Sequence, residues 1–188
     1  IPIHGHFHND FGLATANALQ AIQSGATCVD VTVNGLGERC GISSLAEVTT
    51  SLDELFHVKN SWNFKILNDI SSYVEKISNI TKNDIRPITG KNAYTHNAGL
   101  HVSSVIKDSS LYEPTDPRKF NRKRHHYIDK FSGKDALDYR LKKLNIDLGE
   151  KELCELLFKI KSKPEVKKWS DEKLISLCNQ FYKTHISS

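Results

Sequence analysis

Three histidines at alternate positions, in His4-Gly5-His6-Phe7-His8-Asn9-Asp10, are the residues whose types and spacing most directly suggest chemistry. Side chains on an extended strand point the same way every second residue, so His4, His6 and His8 would share one face. Two of them could grip one metal ion. Neutral imidazole suits zinc, manganese, iron or nickel, and a carboxylate from elsewhere would complete a partly open site that a substrate could enter. Alternating histidines are equally at home on the solvated face of a strand, and H-x-H is less specific than the longer metal-site spacings.

Other stretches carry weaker signals. Gly35-Leu36-Gly37-Glu38-Arg39-Cys40-Gly41 has three glycines that permit tight backbone beside a ligand. It lacks the G-x-G-x-x-G order and the P-loop lysine, so a plain strand-to-helix turn explains it as well. Tyr94-Thr95-His96-Asn97-Ala98-Gly99-Leu100-His101 places two histidines and a tyrosine next to a long loop, where functional groups are commonly carried. His96 reads more simply as a hydrogen-bonding loop residue. Arg118 to His126 packs five Lys or Arg and two His into nine positions. Phe120 is the one ring inside that basic cluster, too few for a stacking platform, so a solvated segment or a local anion contact is the simpler reading than nucleic-acid binding.

These groups need elements to hold them. Ile1-Pro2-Ile3 leads into the histidines as a strand, and Phe11 to Ser24 has helical spacing, with Asp10 a candidate N-cap. Thr27 to Asn34 is an apolar, β-branched run of the kind buried in parallel sheets, which completes a βαβ unit. Ser44 and Glu47 form a candidate capping box for a helix to about His57, and a second helical pattern covers 68–78. From Thr81 to His96 the pattern dissolves into a loop. A short helix to about Lys107 follows, then helices over 134–144, with Ser132 as cap, and around Leu153 to Ile160 and Ser170 to Phe181.

The 188 residues are 38% hydrophobic and 26% charged, ordinary globular composition. A net charge of +4 suits anionic ligands without demanding nucleic acid. Cys28, Cys40, Cys154 and Cys178 form no C-x-x-C pair, so neither a zinc ribbon nor a disulfide framework is suggested, and reduced thiols in a cytoplasm are expected. No apolar run is long enough for a membrane span and no signal peptide is evident. The sequence contains no Met and begins at Ile, which reads as a fragment or processed piece.

Taken together, His6-Phe7-His8-Asn9-Asp10, the Gly35 to Gly41 loop, Thr95 to His101, and Leu111-Tyr112-Glu113-Pro114 with Asp116-Pro117 resemble, in order, the acyl-CoA condensing branch of the DRE-TIM metallolyases. That branch contains the 2-isopropylmalate, citramalate and homocitrate synthases of amino-acid biosynthesis. The resemblance implies an α/β fold: the last two βα units of a TIM (β/α)8 barrel followed by a mostly helical C-terminal domain. A complete barrel takes about 250 residues. The implied divisions are 1–80 for the end of the barrel, 81–130 for a linker and subdomain, and 131–188 for a helical subdomain. His6 and His8 would be ligands to a divalent metal, zinc, manganese or magnesium, with an acidic third ligand outside this sequence. Asn9, Asp10, Glu38 and Arg39 would face substrate. His101, assisted by Tyr112, would be the base or relay, acting in trans within a homodimer. The implied substrates are acetyl-CoA and a 2-oxo acid, with neither nucleic acid nor membrane as partner.

Two departures bear on which member it resembles. Ile42 follows the glycine loop, as in homocitrate synthases, where many isopropylmalate synthases have Asn. His4 stands where lysine-regulated homocitrate synthases tend to carry Glu, which puts lysine feedback at this position in doubt. Homocitrate synthase is the first expectation, with isopropylmalate or citramalate synthase as alternatives. Outside that class stand a metal-dependent lyase or aldolase, and an inactive dimerisation fragment.

Overall fold

A computed structural model describes residues 1–96, 108, 113–163 and 168–186. They form a mixed α/β protein of six α-helices and two short parallel strand pairs. The chain divides into two units, one of Ile1–Ala93 with Thr115–Lys123 and one of Tyr94–Pro114 with Arg124–Ser188.

In the first unit, β1 (His4–Gly5), α1 (Ala14–Gln23) and β2 (Cys28–Val29) make the expected βαβ unit, with His4 opposite Cys28 and Gly5 opposite Val29 in parallel register. Helix α1 is not capped by Asp10. The Asn9 Oδ1 accepts the Ala14 N–H at 3.1 Å, because the Asp10 carboxylate is taken by Arg39. The run from Thr27 to Asn34 is not one buried strand either. Beyond β2 the Thr32 backbone pairs with Ser43 and Leu45 (3.0 and 2.9 Å), and Val33–Gly35 then turns as a 3-10 helix with Asn34 at φ 59°. Asn tolerates that left-handed conformation, and its amide is held at both ends by Ser71.

Helix α2 (Leu45–Glu54) starts directly after Ser44, but the capping box does not form. Glu47 accepts instead from Thr15 Oγ1 at 2.9 Å, a tertiary partner on α1 that outcompetes the local one. The helix stops before His57, which sits at φ 52°. Ala18, Val48 and Leu52 are buried where α1 meets α2, with Phe7, Ile22 and Val31 packed at their margin. Helix α3 (Leu67–Ser78) follows a short turn.

The basic segment is used internally. Lys119 bonds Asp53 and Glu54, Arg122 Nη1 donates to the carbonyls of Ile88 (2.8 Å) and Gly90 (2.6 Å), and Phe120 is fully buried against Phe64.

In the second unit β3 (Thr95–His96) pairs in parallel with β4 (His125–His126). Helices α4 (Lys134–Lys143), α5 (Glu150–Lys161) and α6 (Asp171–Ile186) enclose Leu137, Leu141, Leu156, Ile160 and Leu174, all at most 1% exposed. Burial of each such side chain contributes roughly 2 kcal/mol. Ser132 does not cap α4. It accepts the Asp129 N–H at 2.9 Å, and Gly133 occupies the cap position. The helix expected up to Lys107 lies outside the described residues. Among the described residues no helix is long and apolar enough to cross a membrane.

Candidate metal and substrate site

The parallel register of β1 and β2 sets the site. With His4 opposite Cys28 and Gly5 opposite Val29, the next pair in register is His6 and Asp30. The Asp30 carboxylate accepts from His4 Nε2 at 2.8 Å and from His6 Nδ1 at 2.7 Å. These two bonds, His6 first, hold the Asp30 carboxyl below its ordinary range. They also fix a tautomer: a proton on His6 Nδ1 leaves Nε2 as a lone-pair donor, the arrangement by which carboxylates prepare metal-ligating histidines.

His8 lies next to His6, its ring centre 5.0 Å away at an interplanar angle of 63°. A metal held about 2.1 Å from each ring nitrogen stands about 3.2 Å from each ring centre. At ligand angles of 90–110° the two centres would be about 4.5–5.2 Å apart. The observed spacing fits. His8 Nδ1 is enclosed without a hydrogen-bond partner among the described residues. Among the described residues no three His, Cys, Asp or Glu stand together as a metal cluster.

The glycine loop is folded onto these histidines. Asn9 N–H donates to the Gly41 carbonyl at 2.9 Å, and His8 bridges Ile42 as an isolated antiparallel pair. Gly41, at φ +82°, brings the chain so close to Gly35 that a Cβ would lie 1.9 Å from the Gly35 carbonyl oxygen. Only glycine fits there. The reversal presents Arg39, itself at φ 54°, to Asp10: Nε to Oδ1 at 2.7 Å and Nη2 to Oδ2 at 3.1 Å. This fork holds the Asp10 carboxyl below its usual value. Glu38 is solvated, 3.9 Å from Arg39. Asn9, Asp10 and Arg39 are therefore brought together, while the Asn9 amide oxygen is spent on α1.

In the second unit the buried Glu113 accepts from His96 Nε2 at 3.0 Å and from Arg124 Nε at 2.6 Å. His101 and Tyr112 lie outside the described residues. Asp30 belongs to no motif of the sequence, and Glu113 and Arg124 stand inside the Leu111 to Pro114 motif and the basic segment without a role of their own. The one local signal for Asp30 is a lone charge inside the apolar run from Cys28 to Val33.

Residues 1–74 match the HMGL-like family model, and residues 88–168 match the homocitrate synthase post-HMGL domain-like model. A homocitrate synthase of Pyrococcus horikoshii is 47% identical over 169 residues, covering 90% of this chain and 46% of that protein. One of Pyrococcus abyssi is 46% identical over 176 residues, covering 93% and 47%. One of Sulfurisphaera tokodaii is 44% identical over 172 residues, covering 92% and 37%. The chain thus spans about half or less of the length of the curated relatives it matches.

Proposed function

The chain belongs to the DRE-TIM family of acyl-CoA condensing enzymes, and from that premise we propose that the protein joins acetyl-CoA to a 2-oxo acid and releases CoA, with 2-oxoglutarate as acceptor. The observation that carries this reading is the His6 and His8 pair at metal-ligand spacing, with Asp30 fixing one of its tautomers. Residues 1–80 form the last two βα units of a TIM barrel, 81–130 a connecting subdomain, and 131–188 a helical subdomain.

His6 and His8 would hold a divalent zinc, manganese or magnesium ion, which would supply a Lewis acid for the oxo-acid carbonyl. Asn9, Asp10, Glu38 and Arg39 rim the mouth of the site. Arg39, steadied by Asp10, keeps guanidinium N–H groups available for a carboxylate of the acceptor. His101 takes a proton from the acetyl methyl of acetyl-CoA, with Tyr112 sharing it. The methyl carbon then bonds to the keto carbon of the acceptor as the carbonyl π pair moves onto its oxygen, which takes up a proton to become a hydroxyl, and water cleaves the thioester to the carboxylate and free CoA. In a homodimer His101 and Tyr112 serve the partner's site.

The test is CoA release by the full-length protein with acetyl-CoA and a divalent metal, comparing 2-oxoglutarate, 2-oxoisovalerate and pyruvate. Preference for 2-oxoglutarate is expected. Release with none of the three, from protein that binds metal, refutes the condensing reaction.

A further inference from the structure

On the side of the glycine loop that meets residues 80–86 lies a cleft of about 270 Å³. Three cations line it, Arg39, Lys82 and Arg86, and no carboxylate does. The three differ in how their charge is already met. Arg39 is engaged by Asp10. Lys82 is only 13% exposed, its Nζ 3.7 Å from Glu75 and 3.1 Å from Ser71 Oγ. Arg86 has no acidic partner among the described residues, and its Nη1 is enclosed with no hydrogen bond. Arg86 therefore carries the least compensated charge of the three, the one an anion in the cleft would meet.

The setting is built rather than incidental. Both terminal nitrogens of Arg86 lie 3.4 Å from where a Cβ on Gly35 would sit, so the guanidinium packs in van der Waals contact with the glycine loop. Ser71 donates to Asn34 Oδ1 at 2.6 Å and accepts from Lys82, which fixes the ammonium relative to the loop.

We propose that this cleft is an oxyanion site that takes a phosphate group, bound by the fork of Arg86 and the ammonium of Lys82. A planar guanidinium pairs with two phosphate oxygens, and a lysine supplies a point charge to a third. The volume is just below the roughly 300 Å³ at which small-molecule pockets begin, room for a phosphate with the first atoms of its ester. The phosphate is either free inorganic anion or one carried by a larger substrate. Only the second source rests on the proposed condensing activity, since CoA is phosphorylated.

The measurement is calorimetric titration of the full-length protein with inorganic phosphate at fixed ionic strength, without acetyl-CoA or oxo acid. Saturable binding is expected, weakened at least about tenfold in Arg86→Gln and in Lys82→Gln, as for loss of one charge-assisted bond. Thermal melts show whether each variant folds, and Lys82→Gln carries the test if Arg86→Gln does not. Absence of saturable phosphate binding, or folded variants that bind like the parent, overturns the proposal. Displacement of phosphate by CoA assigns the anion to that substrate, and phosphate binding indifferent to CoA assigns it to a free anion. Both outcomes support the site. Because phosphate is titrated alone, failure of the condensation assay leaves this result standing.

Discussion

Replacing Asp30 should weaken metal binding without touching a metal ligand. Its carboxylate is the shared acceptor for His6 Nδ1 at 2.7 Å and His4 Nε2 at 2.8 Å. In Asp30→Ala both rings lose that acceptor. His6 is then free to carry its proton on Nε2, the nitrogen that the wild-type bond keeps available as a lone pair. Loss of an outer partner of this kind typically lowers metal affinity by about 10–100-fold. Asp30 is 43% exposed, so water partly replaces the lost acceptor, and the lower end of that range is expected. Asp30→Asn discriminates further. An amide accepts at one end and donates at the other, so it satisfies one imidazole in the wild-type tautomer and reverses the other. Turning its oxygen toward His6 limits the loss to a few-fold, whereas turning its nitrogen there reproduces the alanine effect.

The assay is competition for zinc or manganese between the full-length protein and a chromophoric chelator, without substrates. His8→Ala, which deletes a proposed ligand, should abolish binding. His4→Ala should change it less than about threefold, because His4 occupies the other carboxylate oxygen and leaves the His6 bond intact. A dissociation constant for Asp30→Ala within about twofold of the parent, beside loss of binding in His8→Ala, would refute the tautomer argument. Equal losses in His4→Ala and His8→Ala would make His4 itself a ligand.

Gly41→Ala should open the loop, since its Cβ would overlap the Gly35 carbonyl oxygen and the residue would have to hold φ +82°. A loss above about 2 kcal/mol in urea unfolding is expected, and normal stability would mean the loop tolerates another path. Asp53 tests the pairing of the basic segment with α2: the hydrogen bond from Lys119, then that from Asn60, holds its carboxyl below the ordinary value of 3.8. A depressed carboxyl contributes stability above that value and loses it as pH falls through the folded value. Asp53→Asn should therefore cost about 1 kcal/mol near neutral pH and progressively less in acid, read from thermal melts across that range; a deficit constant with pH contradicts the linkage. Glu113→Ala would leave Arg124 and His96 without their shared buried partner, and a loss of about 3 kcal/mol is expected. The fluorescence of Trp169, 6% exposed in the same unit, reports it in a Trp62→Phe background; an unshifted urea midpoint would show that the triad adds nothing.

What was legible in the sequence is what depends on local period. The leucines of α4, α5 and α6 repeat at helical spacing and are buried, and the alternating histidines lie together because the strand period is two. What was hidden depends on partners far along the chain. Asp10 and Asn9 are both good capping residues, and nothing local favours one; Arg39 decides by taking Asp10. Ser44 and Glu47 have the spacing of a capping box, yet Thr15 captures the carboxylate. The basic segment reads as solvated or as a local anion contact, and that its anions are Asp53 and Glu54, more than sixty residues earlier, shows only in the fold. Asp30 is the sharpest case. Its partners follow from the register of two strands, which no window short enough to read a period can contain.

The same register explains why the histidines and the glycine loop act as one object. Asn9 N–H to Gly41 carbonyl and the His8 to Ile42 bridge tie the residues after β1 to the loop after β2. Four residues of the loop region, Asn34, Gly35, Arg39 and Gly41, hold positive φ. Such conformations persist only where surrounding bonds over-determine them. Here those bonds include the ones that set His8 beside His6. The backbone that carries His8 is therefore set by the loop, and the His6 ring by Asp30. Loosening the loop should consequently disturb metal affinity even though no loop residue is proposed as a ligand.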